Sequence, residues 1–193
     1  IDNKNDEFFS KYNNFDRVSV REEKLKKYLE KNSEKKVDVV VDPTLLMSKE
    51  MWRDFAGAER IEKEKYIFVY SVNNSNELFV NFVNKFAKEK NLKIIYFDKR
   101  DIMNKFKGRK KSYYETAPKE FVNLLYYSEY VITTSFHGTA LSCVLNKKFY
   151  VVLSTFPDRL DTILETLDLK SRVVNDMKDY DKILADKIDW EKS

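Results

Sequence analysis

The stretch that decides the fold is Tyr130–Leu145, which reads YVITTSFHGTALSCVL. A short apolar run, a tight polar turn at Ser135–Thr139 and a run of small apolar residues predict a strand, a turn and a helix. His137, the only histidine of the chain, lies in the turn. Unpaired N–H groups at a helix N-terminus carry about half a positive charge, and anions bind there. We therefore expect a phosphate or carboxylate beside His137, which can donate a hydrogen bond or a proton to it.

The same rhythm of apolar runs and amphipathic segments extends along the chain on both sides of this stretch. In the segment Glu77–Lys90, the apolar residues Phe79, Phe82, Val83 and Phe86 recur at the spacing of one helix face. Strands that alternate with such helices predict an α/β protein with a parallel sheet and helices on both faces. Strands are expected at 18–20, 37–41, 66–72, 92–97, 130–134 and 149–153, and helices near 7–12, from 21 onwards, and at 48–55, 77–90, 118–125, 139–145, 159–167 and 180–188.

Two segments carry more specific expectations. Val37–Val41 is a continuous β-branched run, which is typical of a strand covered on both sides. The charged segment 98–113 is expected to be an irregular loop. Ligands of parallel sheets bind beyond the carboxyl ends of strands, near a switch in strand order. The turns at 73–76, 98–101 and 135–138 each follow the carboxyl end of an expected strand. The last of them, which contains His137, has the residues best suited to bind an anion.

The composition limits the classes of partner. The chain has 36 basic and 32 acidic residues and a formal net charge of +4, which suits an anionic ligand or an anionic membrane surface without requiring nucleic acid. Basic and aromatic residues are interleaved, but the aromatic residues occupy core-facing positions, so we expect no nucleic-acid partner. The single cysteine, Cys143, excludes an internal disulfide and favours a reducing, cytoplasmic compartment.

The scarcity of glycine excludes two kinds of phosphate site. Gly57, Gly108 and Gly138 are the only glycines, so neither a G-x-G-x-x-G loop nor a P-loop can form. One histidine and one cysteine are too few for a zinc site of soft ligands, and we expect no metal. A bound phosphate would therefore be held by a helix end and basic side chains.

The polar turn itself offers several candidate ligand contacts. The hydroxyl groups of Ser135 and Thr139 can donate to an anion, and Gly138 would let a ligand approach the backbone closely. The alternative is an ordinary turn between a strand and a helix, with His137 as a satisfied cap. Both interpretations stay open at this level.

Candidates outside the turn have simple alternatives as well. Arg159 opens another helix after a strand and could clamp a carboxylate or phosphate, or it could pair with a neighbouring aspartate on the surface. Lys147 could contact a donor, or it could complement the C-terminal dipole of the preceding helix. Asp42, before Pro43, could face a cleft or only initiate a turn.

Several stretches together resemble the polysaccharide pyruvyltransferase family. They are residues 16–22, 42–46, 93–97, 117–121, 130–139, 146–147, 158–160 and 167–169, in the order of the C-terminal half of that family. The S-F-H-G-T segment is the most specific of them. Ala117 stands where the family commonly has glycine, Lys148 stands where proline is common, and the N-terminal domain of the family is almost wholly missing from this chain.

The resemblance implies a GT-B-type enzyme with two Rossmann-like domains that face a cleft. Residues 1–20 would be the end of the first domain, 21–178 the donor-binding second domain, and 179–193 a closing helix. The implied reaction transfers pyruvate from phosphoenolpyruvate to a sugar diol as a ketal, in the synthesis of cell-surface polysaccharide and without a cofactor. A lipid-linked glycan acceptor would place the protein at the inner face of the membrane.

The resemblance also assigns roles to individual residues. His137 and Arg159 would be catalytic residues on the donor side. The implied substrate-binding residues are Ser135, Phe136, Gly138, Thr139, Lys147, Arg21 and Asp42. Two other functions stay open: a GT-B glycosyltransferase that uses a nucleotide sugar, and a non-catalytic binding domain in cell-envelope assembly.

Overall fold

The apolar runs of the sequence build two units, residues 1–46 and residues 47–193. The computed structural model describes residues 2–72, 76–97, 100–113, 116–153 and 158–185. The domain bounds expected from the sequence, 1–20, 21–178 and 179–193, stay a prediction.

The larger unit contains one sheet of six strands in the order β5-β4-β3-β6-β7-β8, and all neighbouring strands are parallel. This confirms the expected parallel α/β fold with helices on both faces. Its strands are β3 (Tyr66–Tyr70), β4 (Lys93–Tyr96), β5 (Lys110–Ser112), β6 (Tyr130–Thr133), β7 (Phe149–Val152) and β8 (Val173–Val174). Its helices are α3 (Lys49–Ala56), α4 (Glu77–Lys90), α5 (Pro118–Tyr126), α6 (Phe136–Val144), α7 (Asp158–Thr166) and α8 (Tyr180–Ala185).

Alternate residues of β3 show how the two faces of the sheet are covered. Ile67 and Val69 belong to the core cluster that the apolar faces of α4 and α8 complete. Tyr66 and Phe68 point to the other face, where the Tyr66 hydroxyl donates to the carbonyl of Leu124 in α5 at 2.7 Å. All five side chains are fully buried, and a buried Phe or Ile stabilises the fold by about 1.5–3 kcal/mol.

The smaller unit consists of α1 (Asp2–Tyr12), β1 (Val18–Val20), α2 (Glu23–Lys31) and β2 (Val37–Val39), followed by a 3-10 helix at Pro43–Leu45. The two strands pair in parallel, with Val18 opposite Val37. Its core cluster is formed by the buried residues Tyr12, Val20, Leu29 and Val37.

The strand expected over Val37–Val41 is shorter than predicted and is not covered on both sides. The structure ends β2 at Val39, and Val41 is 57% exposed. A pair of strands has too few neighbours to bury every valine of the run, so only Val37 reaches the core of the unit.

The segment 98–113 is more regular than expected in its described part. A 3-10 helix spans Arg100–Lys105, and Lys110–Ser112 pairs with β4 as the edge strand β5. A short edge strand of charged residues carries no apolar periodicity, which explains why the pattern missed it. The closing helix expected at 180–188 is present as α8, while 186–188 lie outside the described residues, as do 73–75 and 98–99 of the expected turns. Within the described ranges, no helix has both the length and the apolar character to cross a membrane.

Candidate functional site

The direction of the strand order reverses between β3 and β6. From β3 the chain continues through α4 to β4 on one side, and from β6 it continues through α6 to β7 on the other. The two strands are parallel neighbours, so their carboxyl ends lie together at one edge of the sheet. A doubly wound sheet binds its ligand in the crevice at this position. The start of α6, which carries His137, therefore lies at the position where doubly wound sheets commonly bind ligands.

Threonine hydroxyl groups join the two strand ends. The Oγ1 atom of Thr133 donates to the carbonyl of Tyr70 at 2.7 Å and accepts from the N–H of Ser135 at 3.0 Å. The Oγ1 atom of Thr134 accepts from the N–H of Val72 at 3.0 Å. Both threonines are buried, so these hydrogen bonds are shielded from water. They fix the backbone of the turn relative to the sheet.

Helix α6 begins at Phe136, three residues earlier than the expected start at Thr139. Ser135 is the N-cap, and its hydroxyl group accepts from the N–H of Gly138 at 3.5 Å. His137 consequently lies in the first helical turn rather than before it. That turn contains no acidic residue, so no side chain of its own neutralises the positive end of the helix dipole.

The hydroxyl groups of Ser135 and Thr139 serve the helix start. Thr139 is fully buried, and its hydroxyl donates to the carbonyl of Ser135 at 3.0 Å. Ser135 is itself buried and caps the helix. Ser135 thus satisfies one orphan N–H group of the helix start, whereas the Thr139 hydroxyl bonds a carbonyl that also accepts from the N–H of Thr139. The expected contacts of both hydroxyl groups with a ligand stay a prediction.

Gly138 is required for the close packing of α6 against β6. A Cβ atom at this position would lie 2.4 Å from Oγ1 and 3.1 Å from Cβ of Thr133. Gly138 is buried and has an ordinary helical backbone, whereas the glycines with positive φ are Gly57 and Gly108. The missing side chain lets α6 start directly against β6, and the expected role of Gly138 in ligand binding stays a prediction.

Three side chains converge at the solvent side of this helix start. The guanidinium carbon of Arg159 lies 4.4 Å from the ring centroid of Phe136. The rings of Phe136 and His137 meet edge to face, with centroids 5.5 Å apart. His137 is exposed, and the other two residues are half-buried. The structure thus brings Arg159, from the first turn of α7, to the helix start that carries His137.

Lys147 lies away from this group, at the edge of the sheet that is formed by the amino ends of the strands. It follows α6 and directly precedes β7, and its ammonium group donates to the carbonyls of Tyr126 and Ser128 at the end of α5. Burial lowers the pKa of Lys147 to about 8. The structure makes Lys147 a cap for the end of α5, and its assignment as a donor contact stays a prediction that does not enter the function proposed below.

Arg21 and Asp42 form a contact within the smaller unit. Arg21 pairs with the buried carboxylate of Asp42, which also accepts from the N–H of Thr44 at 3.0 Å and from its hydroxyl at 2.8 Å. Burial alone would raise the pKa of Asp42, but the hydrogen bonds from Thr44 and Arg21 outweigh it and hold the pKa below its ordinary value. Asp42 thereby caps the 3-10 helix that follows it. Their substrate-binding role stays a prediction, and neither residue enters the function proposed below.

Cys143 is a core residue of α6. It is 7% exposed, and burial raises the pKa of its thiol to about 11. A thiol with a raised pKa is a poor nucleophile at neutral pH, so the structure gives Cys143 a structural role. Among the residues that the structure describes, no group of three or more His, Cys, Asp and Glu side chains is arranged to hold a metal ion.

Two features of the site were missed by sequence reasoning. The contact of Thr133 with Gly138 could have been suspected from a polar β-branched residue at a strand end just before a small-residue helix. The stacking of Arg159 on Phe136 has no such signal, because it joins residues from different helices that are 23 positions apart.

The fold is that of known sugar-nucleotide enzymes of the GT-B type. The chain superposes on UDP-GlcNAc 2-epimerase of Methanocaldococcus jannaschii in complex with UDP-GlcNAc and UDP, with a TM-score of 0.66 and 14% identity, over 92% of this chain and 55% of the epimerase. The Neisseria meningitidis UDP-GlcNAc 2-epimerase bound to UDP-GlcNAc gives a TM-score of 0.56 and 14% identity, over 91% and 53% of the two chains. The chain spans about half the length of these epimerases, and identities this low show the fold alone.

Sequence comparison identifies the family. A search among curated proteins gives no match. The sequence model of the polysaccharide pyruvyl transferases matches residues 4–155, which is well over half of the chain and includes the whole strand, turn and helix around His137. The chain therefore belongs to the polysaccharide pyruvyl transferase family.

Proposed function

We propose that this chain is the donor-binding part of an enzyme that transfers pyruvate from phosphoenolpyruvate to a sugar diol in cell-surface polysaccharide synthesis. Membership of the family supports a transferase. The observation that carries the proposal is that the exposed His137 and the half-buried Arg159 meet at the start of α6, at the switch point of the sheet.

The donor has two anionic groups, a phosphate and a carboxylate, and each needs N–H donors or a cation. The first turn of α6 supplies N–H groups and a dipole without an acidic side chain, with the His137 ring beside it. Arg159 supplies a guanidinium, which can bind an oxyanion through two N–H groups at once. We assign one anionic group of the donor to the helix start and the other to Arg159.

The chemistry then needs one proton donor. Protonation of C3 of the enol makes C2 electrophilic, a sugar hydroxyl adds to C2, and the C2–O bond to phosphate breaks. The second hydroxyl closes the ketal, so that the products are the ketal and inorganic phosphate. The two sugar hydroxyls release two protons, of which one balances the proton added to C3 and the other leaves on the phosphate. His137 donates the proton either to C3 or to the departing phosphate.

Binding of the donor is the direct test. Phosphoenolpyruvate at 100 times its Kd should raise the melting temperature of the chain by roughly 5–10 °C. We expect Arg159→Ala to weaken binding in calorimetry at least tenfold, and we expect the exposed control Arg53→Ala in α3 to leave it unchanged. A loss of turnover with retained donor binding is expected for His137→Ala in an enzyme that also contains the acceptor domain.

The competing functions give different results in the same titration. A glycosyltransferase would bind a nucleotide sugar such as UDP-GlcNAc and not phosphoenolpyruvate. A non-catalytic envelope domain would bind neither donor. Arg159→Ala with unchanged donor affinity, or His137→Ala with full turnover, would remove the corresponding residue from the mechanism.

A further inference from the structure

We infer that Phe136 is a positioning residue that holds the Arg159 guanidinium in place for an anionic group of the donor. The inference rests on the proposed function and refines it. It changes the expected role of Phe136 from a direct contact with substrate to an action through Arg159.

The geometry ties Phe136 to Arg159. The guanidinium carbon lies 4.4 Å from the centroid of the Phe136 ring, well within the range of a cation–π contact. Phe136 is the first residue of α6 and Arg159 the second residue of α7, so this contact joins two helix starts.

The contact with Phe136 holds the guanidinium in place before an anion binds. A free arginine side chain loses conformational entropy when it binds, and a side chain that is already held loses less. A guanidinium on an aromatic ring can still donate through its N–H groups, because the ring contact uses its π face. Removal of the ring should therefore weaken anion binding even though the ring itself donates no hydrogen bond.

A purely structural role of Phe136 is the competing explanation. The residue is half-buried, whereas the six residues 138–143 of the same helix are all buried. These buried residues and the Ser135 cap anchor α6, so the helix start does not depend on the Phe136 ring for its core contacts. A packing role would lower stability without any dependence on Arg159.

A double-mutant cycle separates the two explanations. We propose Phe136→Leu, Arg159→Gln and the double variant, with phosphoenolpyruvate as the calorimetric probe. Phe136→Leu should weaken binding about 3- to 30-fold, as expected for the loss of a partly desolvated cation–π contact. In the Arg159→Gln background it should have no further effect. Phe136→Tyr, which keeps the aromatic face, should retain affinity within about twofold of the wild type.

A matched control and a ligand-free measurement complete the design. Phe55→Leu makes the same chemical change on exposed α3 and should leave donor affinity unchanged. In the ligand-free protein, the Nε–H resonance of Arg159 should carry an aromatic ring-current shift that Phe136→Tyr keeps and Phe136→Leu loses. This measurement does not depend on any donor.

Each outcome decides the inference. Additive losses in the double variant, or a Tyr variant as weak as the Leu variant, overturn it while the proposed function stands. Coupling that appears with UDP-GlcNAc, when phosphoenolpyruvate does not bind, supports it while the proposed function fails. Absence of binding of either donor to the wild type overturns both.

Discussion

Gly138→Ala tests whether the start of α6 is set by packing against β6. The new Cβ would lie 2.4 Å from Oγ1 and 3.2 Å from Cγ2 of Thr133, which is fully buried and cannot turn toward solvent. Either Thr133 leaves its rotamer and breaks its hydrogen bonds to Tyr70 and Ser135, or α6 shifts away from the sheet. Each route moves the turn that carries His137.

The expected cost follows from these alternatives. Overpacking of a filled core, or the loss of two buried hydrogen bonds, costs about 2–3 kcal/mol. The better helix propensity of alanine returns about 1 kcal/mol. A net loss of about 1–2 kcal/mol should lower the melting temperature by roughly 3–8 °C in a chain of this size.

Urea unfolding followed by circular dichroism measures this loss, and Thr133→Ala is the matched partner. Removal of Oγ1 and Cγ2 leaves only the Cβ of residue 133 near the new Cβ, at 3.1 Å. This remaining crowding should roughly offset the gain in helix propensity, so Gly138→Ala should cost close to nothing in the Thr133→Ala background. The coupling between the two changes should then be about 1–2 kcal/mol. An equal cost in both backgrounds refutes the packing explanation. Unchanged stability with weakened donor binding would instead support close approach of a ligand to the backbone.

Three further changes test other parts of the structure. The lowered pKa of Lys147, about 8 against 10.5 for an ordinary lysine, means that the unfolded chain binds this proton more tightly. The unfolding free energy of the wild type relative to Lys147→Met should therefore rise by about 3 kcal/mol between pH 8 and pH 10.5 in urea titrations, and a flat difference would contradict the burial of the charge. Asp42→Asn should destabilise the smaller unit at pH 7. The difference in stability between the wild type and the variant should vanish as the pH falls below 3.8 and through the lowered pKa of Asp42. A difference that persists in acid would exclude the carboxylate as its cause. Asn123→Ala should cost about 2–4 kcal/mol in urea unfolding. The buried amide of Asn123 donates to the carbonyls of Ala56 and Glu59 at 2.9 and 2.8 Å and accepts from the N–H of Ile61 at 3.2 Å. A loss below 1 kcal/mol would show that water replaces the amide.

The candidate site divides into residues whose position local pattern can identify and residues whose partners it leaves open. His137 was predicted correctly to lie at a helix start beyond a strand, because strand, turn and helix are all encoded within sixteen neighbouring residues. Ser135 and Thr139 were assigned to a ligand because their chemistry permits it. The structure uses both hydroxyl groups to satisfy the first turn of α6. A polar side chain near a helix start can serve the backbone or a ligand, and only the direction of its bonds distinguishes the two.

The alternation of apolar runs and amphipathic segments was sufficient, by itself, to specify a parallel sheet with helices on both faces and a helix that begins within a few residues of His137. Both are consequences of periodicity and capping over short distances along the chain. Tertiary structure alone decided that Arg159 lies over the Phe136 ring, that the Thr133 side chain occupies the space beside Gly138 and that Lys147 caps α5 at the far edge of the sheet. These contacts depend on which strands become neighbours and on how closely helices pack. Many sequences with the same apolar pattern bury their apolar surface equally well, so the pattern does not determine which side chains contact each other.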